Sequence, residues 1–199
     1  MDTDTIVDLM RHGEPEGGTL IRGWQDDPLS ETGWSQMREA VSEPAPWDRI
    51  ISSPLTRCHR FAQELSDKLD LSLSTEERLR EIGFGEWEGR LPAELYEEQP
   101  DAVSNFWSDP VKHTPPGAEP LDEFKLRVES AWQDMLERHR GEHLLVVAHG
   151  GVNRLIIANV LGIPLVNLFR MEIPFAGISR LRIGEGIPRL VFHCGNDLA

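Results

Sequence analysis

Two apolar runs dominate the hydrophobic pattern, and each ends in a histidine. Thr5-Ile6-Val7-Asp8-Leu9-Met10 reads as a strand and stops at Arg11-His12-Gly13. His143-Leu144-Leu145-Val146-Val147-Ala148 is continuous, as in a central strand covered on both faces, and stops at His149-Gly150-Gly151. Arg49-Ile50-Ile51-Ser52 is a shorter strand, and 71–74 alternates like an edge strand. In the tail, 178–183 and 189–193 alternate as strands around Gly184-Glu185-Gly186. Helical spacing fills the intervals. Ser30 caps a helix from Glu31 to about Ser42, broken by Pro44-Ala45-Pro46. Ser53 followed by Pro54 predicts a helix start, with Leu55, Cys58, Phe61, Ala62, Leu65 and Leu69 on its buried face. Leu121, Phe124, Val128, Trp132, Met135 and Leu136 mark a long helix to about Arg140. Val152, Leu155, Ile156 and Val160 line another, which Gly162 ends.

The remaining segments are connections. Residues 23–29 read as a surface loop, and 78–89 are mostly loop, with three glycines and two aromatics. One or two short helices follow between Pro92 and about Trp107, then a proline-rich surface connection over 110–120. The sequence leaves the oligomeric state open: Trp107 or Phe169 would mark a contact if exposed, but core packing is the favoured reading of both. Strands and helices alternate through most of the chain. The expected fold is an α/β three-layer sandwich with a mainly parallel central sheet and helices on both faces. The whole chain, 1–199, reads as a single domain with a small helical insertion at about 90–120. No internal repeat is visible.

Charge narrows the possible partners. The net charge is −14, which argues against nucleic acid and disfavours an anionic membrane. No run approaches the ~20 apolar residues that span a bilayer. Met1-Asp2-Thr3-Asp4 carries no secretory signal, so a cytoplasmic location is expected. Cys58 and Cys194 form no metal motif and read as reduced thiols, Cys58 on the buried face of its helix. A small anionic substrate must then be captured by a local positive pocket in an acidic surface.

The strand ends supply such a pocket. In open α/β sheets, ligands bind just outside the carboxyl ends of the strands. Arg11 and His12 follow one strand, His149 another, and Arg57 lies soon after a third. Helix starts after Ser53 and His149 would aim N–H groups at the same place. Two arginines, two histidines and two helix starts suit a dianion such as a phosphate monoester.

At these residues the chain resembles the histidine phosphatase superfamily, the phosphoglycerate-mutase-like proteins. Within it, the nearest likeness is to the small bacterial branch that includes the α-ribazole phosphatases. The resemblance rests on Leu9-Met10-Arg11-His12-Gly13-Glu14, Ser52-Ser53-Pro54-Leu55-Thr56-Arg57, the run from Glu81 to Gly89, and Val146-Val147-Ala148-His149-Gly150-Gly151, in the family's order. It implies a metal-independent phosphomonoesterase acting through a phosphohistidine, with no cofactor and a small phosphorylated substrate. His12 would be the nucleophile, with Arg11, Arg57 and His149 holding the phosphoryl oxygens. Glu81 would be the acid and then the base. That role suits a buried carboxyl, for which Phe84 and Trp87 would supply apolar walls. Glu86 and Glu88 are rivals for it. His59, His113, His139, His143 and His193 sit in no motif and are read as surface or packing residues.

The chain departs from the family's pattern in the first loop. Many members carry a hydroxyl residue and an asparagine where this sequence has Pro15 and Gly18. Arg22 is the candidate replacement, helped by backbone N–H groups around Gly17 and Gly18. Arg22, Gly23 and Gly150 are therefore the expected substrate contacts. The substrate suggested by the resemblance is α-ribazole 5′-phosphate. One alternative is phosphoglycerate mutase-type transfer, which is disfavoured by the short insertion and the lack of a further basic cluster beside Glu81. The other is a phospho-ligand binding module without turnover, although neither the nucleophile nor the acid is missing.

Overall fold

The structure is a computed structural model describing residues 4–41 and 45–195. Six strands form one sheet: β1 (Thr5–Arg11), β2 (Arg49–Ser52), β3 (Ser72–Thr75), β4 (His143–Ala148), β5 (Ile178–Ile183) and β6 (Arg189–Gly195). Their order is β3-β2-β4-β1-β5-β6. The first four neighbours are parallel, and β5 and β6 are antiparallel to the strands they pair with. The sheet is thus parallel where the candidate histidines leave it.

Alternation along the central strands decides which helix covers which face. On one face, Val7, Leu9, Ile51, Leu144, Val146 and Ala148 pack under α5 (Leu121–Arg138) and α6 (Gly150–Leu161). On the other, Met10, Ile50, Leu145 and Val147 pack under α1 (Glu31–Ala40) and α2 (Thr56–Leu69). These two layers of helix complete the sandwich. The insertion forms α3 (Pro92–Glu98) and α4 (Pro100–Ser108), with a small core of Trp87, Leu95, Val103 and Phe106.

Several boundaries differ from the sequence reading. The predicted Ser53–Pro54 start is corrected: α2 begins at Thr56, with Leu55 in the extended N-cap position. Asp26, from the preceding loop, takes the capping role. Thr56 donates to it twice, from N to Oδ1 at 2.6 Å and from Oγ1 to Oδ2 at 2.8 Å. The segment read as mostly loop winds into 3₁₀ turns at Glu77–Leu79 and Gly85–Trp87. A further 3₁₀ segment, Leu165–Arg170, follows α6. α5 ends at Arg138, short of Arg140. Ser30 caps α1 as expected, accepting from Gly33 N at 3.0 Å. The expected extension to Ser42, Pro44 of the breaker, and the first three residues of the N-terminal reading lie outside the described residues. Gly162 ends α6 in the left-handed conformation, φ 66°.

One polar group sits in the middle of the sheet. Asp8 is fully buried on β1. It accepts from Trp47 Nε1 at 2.8 Å, Arg180 Nε and Nη2 at 2.8 and 3.0 Å, and bonds His143 Nε2 at 3.0 Å. Burial pushes its pKa upward, but the bonds from His143, Arg180 and Trp47 outweigh that and hold it below the usual carboxylate value. Among the described residues, no helix is long and apolar enough to cross a membrane.

Candidate active site

Register brings the two histidines together. β1 pairs with β4 so that Arg11 lies opposite Ala148, and His12 N donates to Ala148 O at 3.0 Å. The next residue on each strand is His12 and His149, with ring centroids 5.2 Å apart, edge to face. His12 Nδ1 donates to Gly13 O at 2.7 Å, since a carbonyl can only accept. That leaves Nε2 of His12 with its lone pair. His149 is fixed by Ser53, whose Oγ lies 2.6 Å from Nε2. Ser53 therefore serves the site as well as the turn into α2, where its Oγ also accepts from Leu55 N at 3.3 Å. Gly13 is required by a close approach: a Cβ there would sit 2.2 Å from Gly33 O of α1.

Both imidazoles are buried, and burial, reinforced by Arg57 and Arg11, holds each well below the usual histidine pKa. Both are neutral near pH 7. The arginines are held by carbonyl oxygens, which orient them without cancelling their charge. Arg11 donates from Nη1 to Ile173 O at 2.5 Å and stacks on the Phe175 ring at 4.2 Å. Fully buried Arg57 donates from Nη1 to Gln25 O at 2.7 Å and from Nη2 to Gly23 O at 2.8 Å. Burial, opposed by Glu81 and reinforced by Arg154 and Arg57, leaves Arg11 lowered to about 10. Arg11 Nε and Arg57 Nε are both buried with no hydrogen-bond partner among the described residues. A buried, unsatisfied N–H costs roughly 1–3 kcal/mol unless something accepts from it.

The loop over 23–29 is more than a surface turn. Its carbonyls hold Arg57, and its own backbone is held by Glu88. The Glu88 carboxylate accepts from Trp24 N at 3.0 Å, Gln25 N at 2.7 Å and Phe84 N at 2.8 Å. Gly23 leaves no room for a side chain: a Cβ would lie 2.3 Å from Ile82 O. Glu88, a rival for the acid on sequence grounds, is thus committed to the loop, and Glu86 is exposed.

Glu81 lies at the site. It is buried, its Oε2 accepts from Gly151 N at 2.9 Å, and its Oε1 accepts from Ile82 N at 3.0 Å. Gly151 must be glycine here, because a Cβ would fall 2.3 Å from Glu81 Oε1. Of the two helix starts expected to face a ligand, α2 gives its Thr56 N–H to Asp26 and α6 gives its Gly151 N–H to Glu81. Phe84 and Trp87 pack on Phe106, with ring centroids 6.0 and 5.5 Å away. The segment carrying Glu81 is clamped by Arg127 of α5, which donates to the carbonyls of Arg78 and Arg80 at 2.7 Å and Glu81 at 2.9 Å. Glu119 holds that guanidinium at 2.6 and 2.7 Å. Arg127 borders the apolar stripe of its helix, and the sequence reading passed over it.

Arg22 is used differently from the expectation. Its guanidinium binds Asp27 Oδ2 at 2.7 Å, Gly18 O at 2.6 Å, Leu20 O at 3.1 Å and Glu16 O. It knits the first loop together, while its charge still acts on His12. Gly150 makes space: the point where its Cβ would lie is 3.0 Å from Arg154 Nη1 and 3.4 Å from Arg11 Nε. Arg154 adds one cation near Glu81, where the sequence showed no basic cluster: Glu81 acts on Arg154, and both act on Arg11. It is the one charged residue in α6, and a lone charge in an apolar helix was the signal available. Trp107 is half-exposed and meets Phe169 edge to face, with ring centroids 5.3 Å apart, so it is no core residue. Among the described residues, no group of three or more His, Cys, Asp or Glu side chains could hold a metal ion.

Comparison with known proteins identifies the family. Residues 7–194 match the model of the histidine phosphatase superfamily (branch 1). A protein of Hydrogenobacter thermophilus provisionally named phosphoserine phosphatase 2 is 36% identical over 188 residues, covering 92% of each chain. The adenosylcobalamin/α-ribazole phosphatase of Salmonella typhimurium is 30% identical over 186 residues, again with 92% of each covered. Among solved structures, Bacillus stearothermophilus YhfR superposes with a TM-score of 0.86 at 28% identity, covering 94% of this chain and 95% of that one.

Proposed function

The chain belongs to the histidine phosphatase superfamily and is a phosphatase, and from that premise we infer that it is a metal-independent phosphomonoesterase that works through a phosphohistidine on His12. One observation carries the reading. Two neutral histidines stand 5.2 Å apart at adjacent strand ends, and two arginines beside them each keep a buried Nε–H without an acceptor. A phosphoryl group is the ligand whose oxygens satisfy both.

His12 Nε2 attacks phosphorus, the N–P bond forms, and the P–O bond to the leaving alcohol breaks. Arg11 and Arg57 take the charge that spreads over the phosphoryl oxygens, and neutral His149 adds an N–H. Glu81 gives its proton to the leaving oxygen. Water then attacks phosphorus, Glu81 takes the water proton, and the N–P bond breaks to restore His12. Arg22 supports this chemistry by shaping the first loop and by its charge. The substrate class is a small phosphorylated metabolite. Two similar proteins are named for phosphoserine and α-ribazole phosphate, which places both compounds among the first to assay.

The test is acid-labile phosphate trapped on the protein during turnover of p-nitrophenyl phosphate in EDTA. Wild type should turn over and trap label, and His12→Ala should do neither while keeping its fold by circular dichroism. Label trapped on His12→Ala would move the nucleophile to His149. Activity lost to EDTA and restored by zinc or magnesium would refute the arginine-based site.

A further inference from the structure

We propose that Arg127 of α5 is a positioning residue for the general acid: it holds the backbone that carries Glu81 and so sets the reach of that carboxyl toward the leaving oxygen. The proposal rests on the phosphatase reading above and adds a residue to it.

Glu81 needs such support because of where it sits. Its segment lies outside the sheet, between two 3₁₀ turns, so a strand ladder does not fix its backbone. One carboxylate oxygen is tied to α6 through Gly151 N, and the other bonds the adjacent Ile82 N. The bond to Ile82 moves with the segment. The place of the carboxyl in the site therefore depends on what holds the chain behind it.

Arg127 holds it. A guanidinium presents its N–H donors in a rigid fork. Nη1 donates to Arg78 O and Arg80 O, Nη2 to Glu81 O and Glu119 Oε2, and Nε to Glu119 Oε1. Every N–H of the guanidinium thus has an acceptor within the protein, and none is left for a phosphate or a leaving group. The pair with Glu119 is bidentate, which fixes direction as well as distance. Glu119 also grips the chain beyond the acid: its N donates to Gly83 O at 2.9 Å, and its Oε2 accepts from Gly83 N at 3.3 Å. The frame closes on both sides of Glu81. Trp24, from the loop that holds Arg57, adds a donor to the same carbonyl, Nε1 to Glu81 O at 3.0 Å.

The two helices that share one core layer divide this work. α6 holds the carboxylate through Gly151, and α5 holds the backbone through Arg127. A buried ion pair is a poor source of net stability, because desolvation offsets its attraction. What the fork supplies is a fixed position. Misplacing a reacting group by about 1 Å costs on the order of 100-fold in rate.

The experiment compares benzyl phosphate with p-nitrophenyl phosphate in single-turnover phosphorylation. The benzyl alkoxide is strongly basic and needs the proton of the acid, whereas p-nitrophenolate does not. Arg127→Gln should lose about 10- to 100-fold on benzyl phosphate and no more than about 3-fold on p-nitrophenyl phosphate. In a Glu81→Gln background no acid remains to be positioned, so adding Arg127→Gln should cost no more than about 3-fold on either substrate. Arg127→Lys keeps the charge without the fork and should show the same selective loss at a smaller size. It decides alone if the glutamine variant does not fold. Equal losses on both substrates, or losses that multiply with Glu81→Gln, would assign Arg127 to the fold or to the phosphoryl charge and overturn the proposal while leaving the phosphatase reading intact. A wild type that turns over neither ester would overturn both.

Discussion

Glu81 and Glu88 are carboxylates of one loop with different work. Glu81 is held by N–H groups at the edge of the candidate site, and Glu88 ties two backbone N–H groups of the Arg57 loop and that of Phe84 in its own segment. Substitution should separate them. Glu81→Gln should slow phosphorylation by an alkyl phosphate ~10²–10⁴-fold in single turnover, the usual span for general acid catalysis. It should slow p-nitrophenyl phosphate far less, because p-nitrophenolate leaves almost unaided. Glu88→Gln keeps the shape but exchanges charged acceptors for a weaker one, so it should slow both substrates alike and lower stability. If Glu88→Gln shows the selective loss on the alkyl ester, the acid has been assigned to the wrong residue. At this scale Arg11, His12 and His149 were legible in the sequence because they stand at strand ends, and Arg57 and Glu81 because the family's motifs carry them. Arg127 and Arg154 were not, since their importance comes from loops that fold back onto them.

Among the elements, the strands were the most legible. Buried runs such as 143–148 carry their own signal, and their histidines inherit the position. Helix starts were less so. Ser53-Pro54 has good local chemistry for a cap, but Ser53 is bonded to His149, and a distant aspartate caps α2 at Thr56. A cap supplied from another segment leaves no mark in the local sequence. Asp26→Ala should lower stability by about 1 kcal/mol, as for other lost caps. It should also raise KM, because the same loop presents Gly23 O and Gln25 O to Arg57. Urea denaturation and steady-state kinetics on one preparation check both, and unchanged KM with lowered stability would mean the loop is held by Glu88 alone.

For the molecule as a whole, the buried carboxylate on β1 joins the sheet from side to side. Asp8 takes bonds from Trp47, two residues ahead of β2, from β4 and from β5. Asp8→Ala should cost about 3–5 kcal/mol by removing the buried acceptor that Trp47, His143 and Arg180 share. The sign of the acid effect follows from its lowered pKa. The unfolded chain binds this proton more readily, so the contribution is complete above the unfolded value of about 3.9 and is lost as pH falls through the folded one. Asp8→Asn should flatten stability against pH in that acid range, as measured by denaturant melts at stepped pH. A slope equal to wild type would mean that other carboxylates set the acid limit.

The pairing of β1 with β4 also fixes when the molecule becomes competent. Every partner in that ladder, from Ile6 with His143 to Arg11 with Ala148, joins segments far apart in the chain. Contacts of such long sequence separation are slow to form, because the loop between them must close before they contribute anything. A nascent chain that has emerged through α5 already contains Arg11, His12, Arg57 and Glu81, yet nothing gathers them. Catalysis therefore begins only when β4 slides between β2 and β1. In a refolding chain, the return of turnover times the insertion of that one central strand.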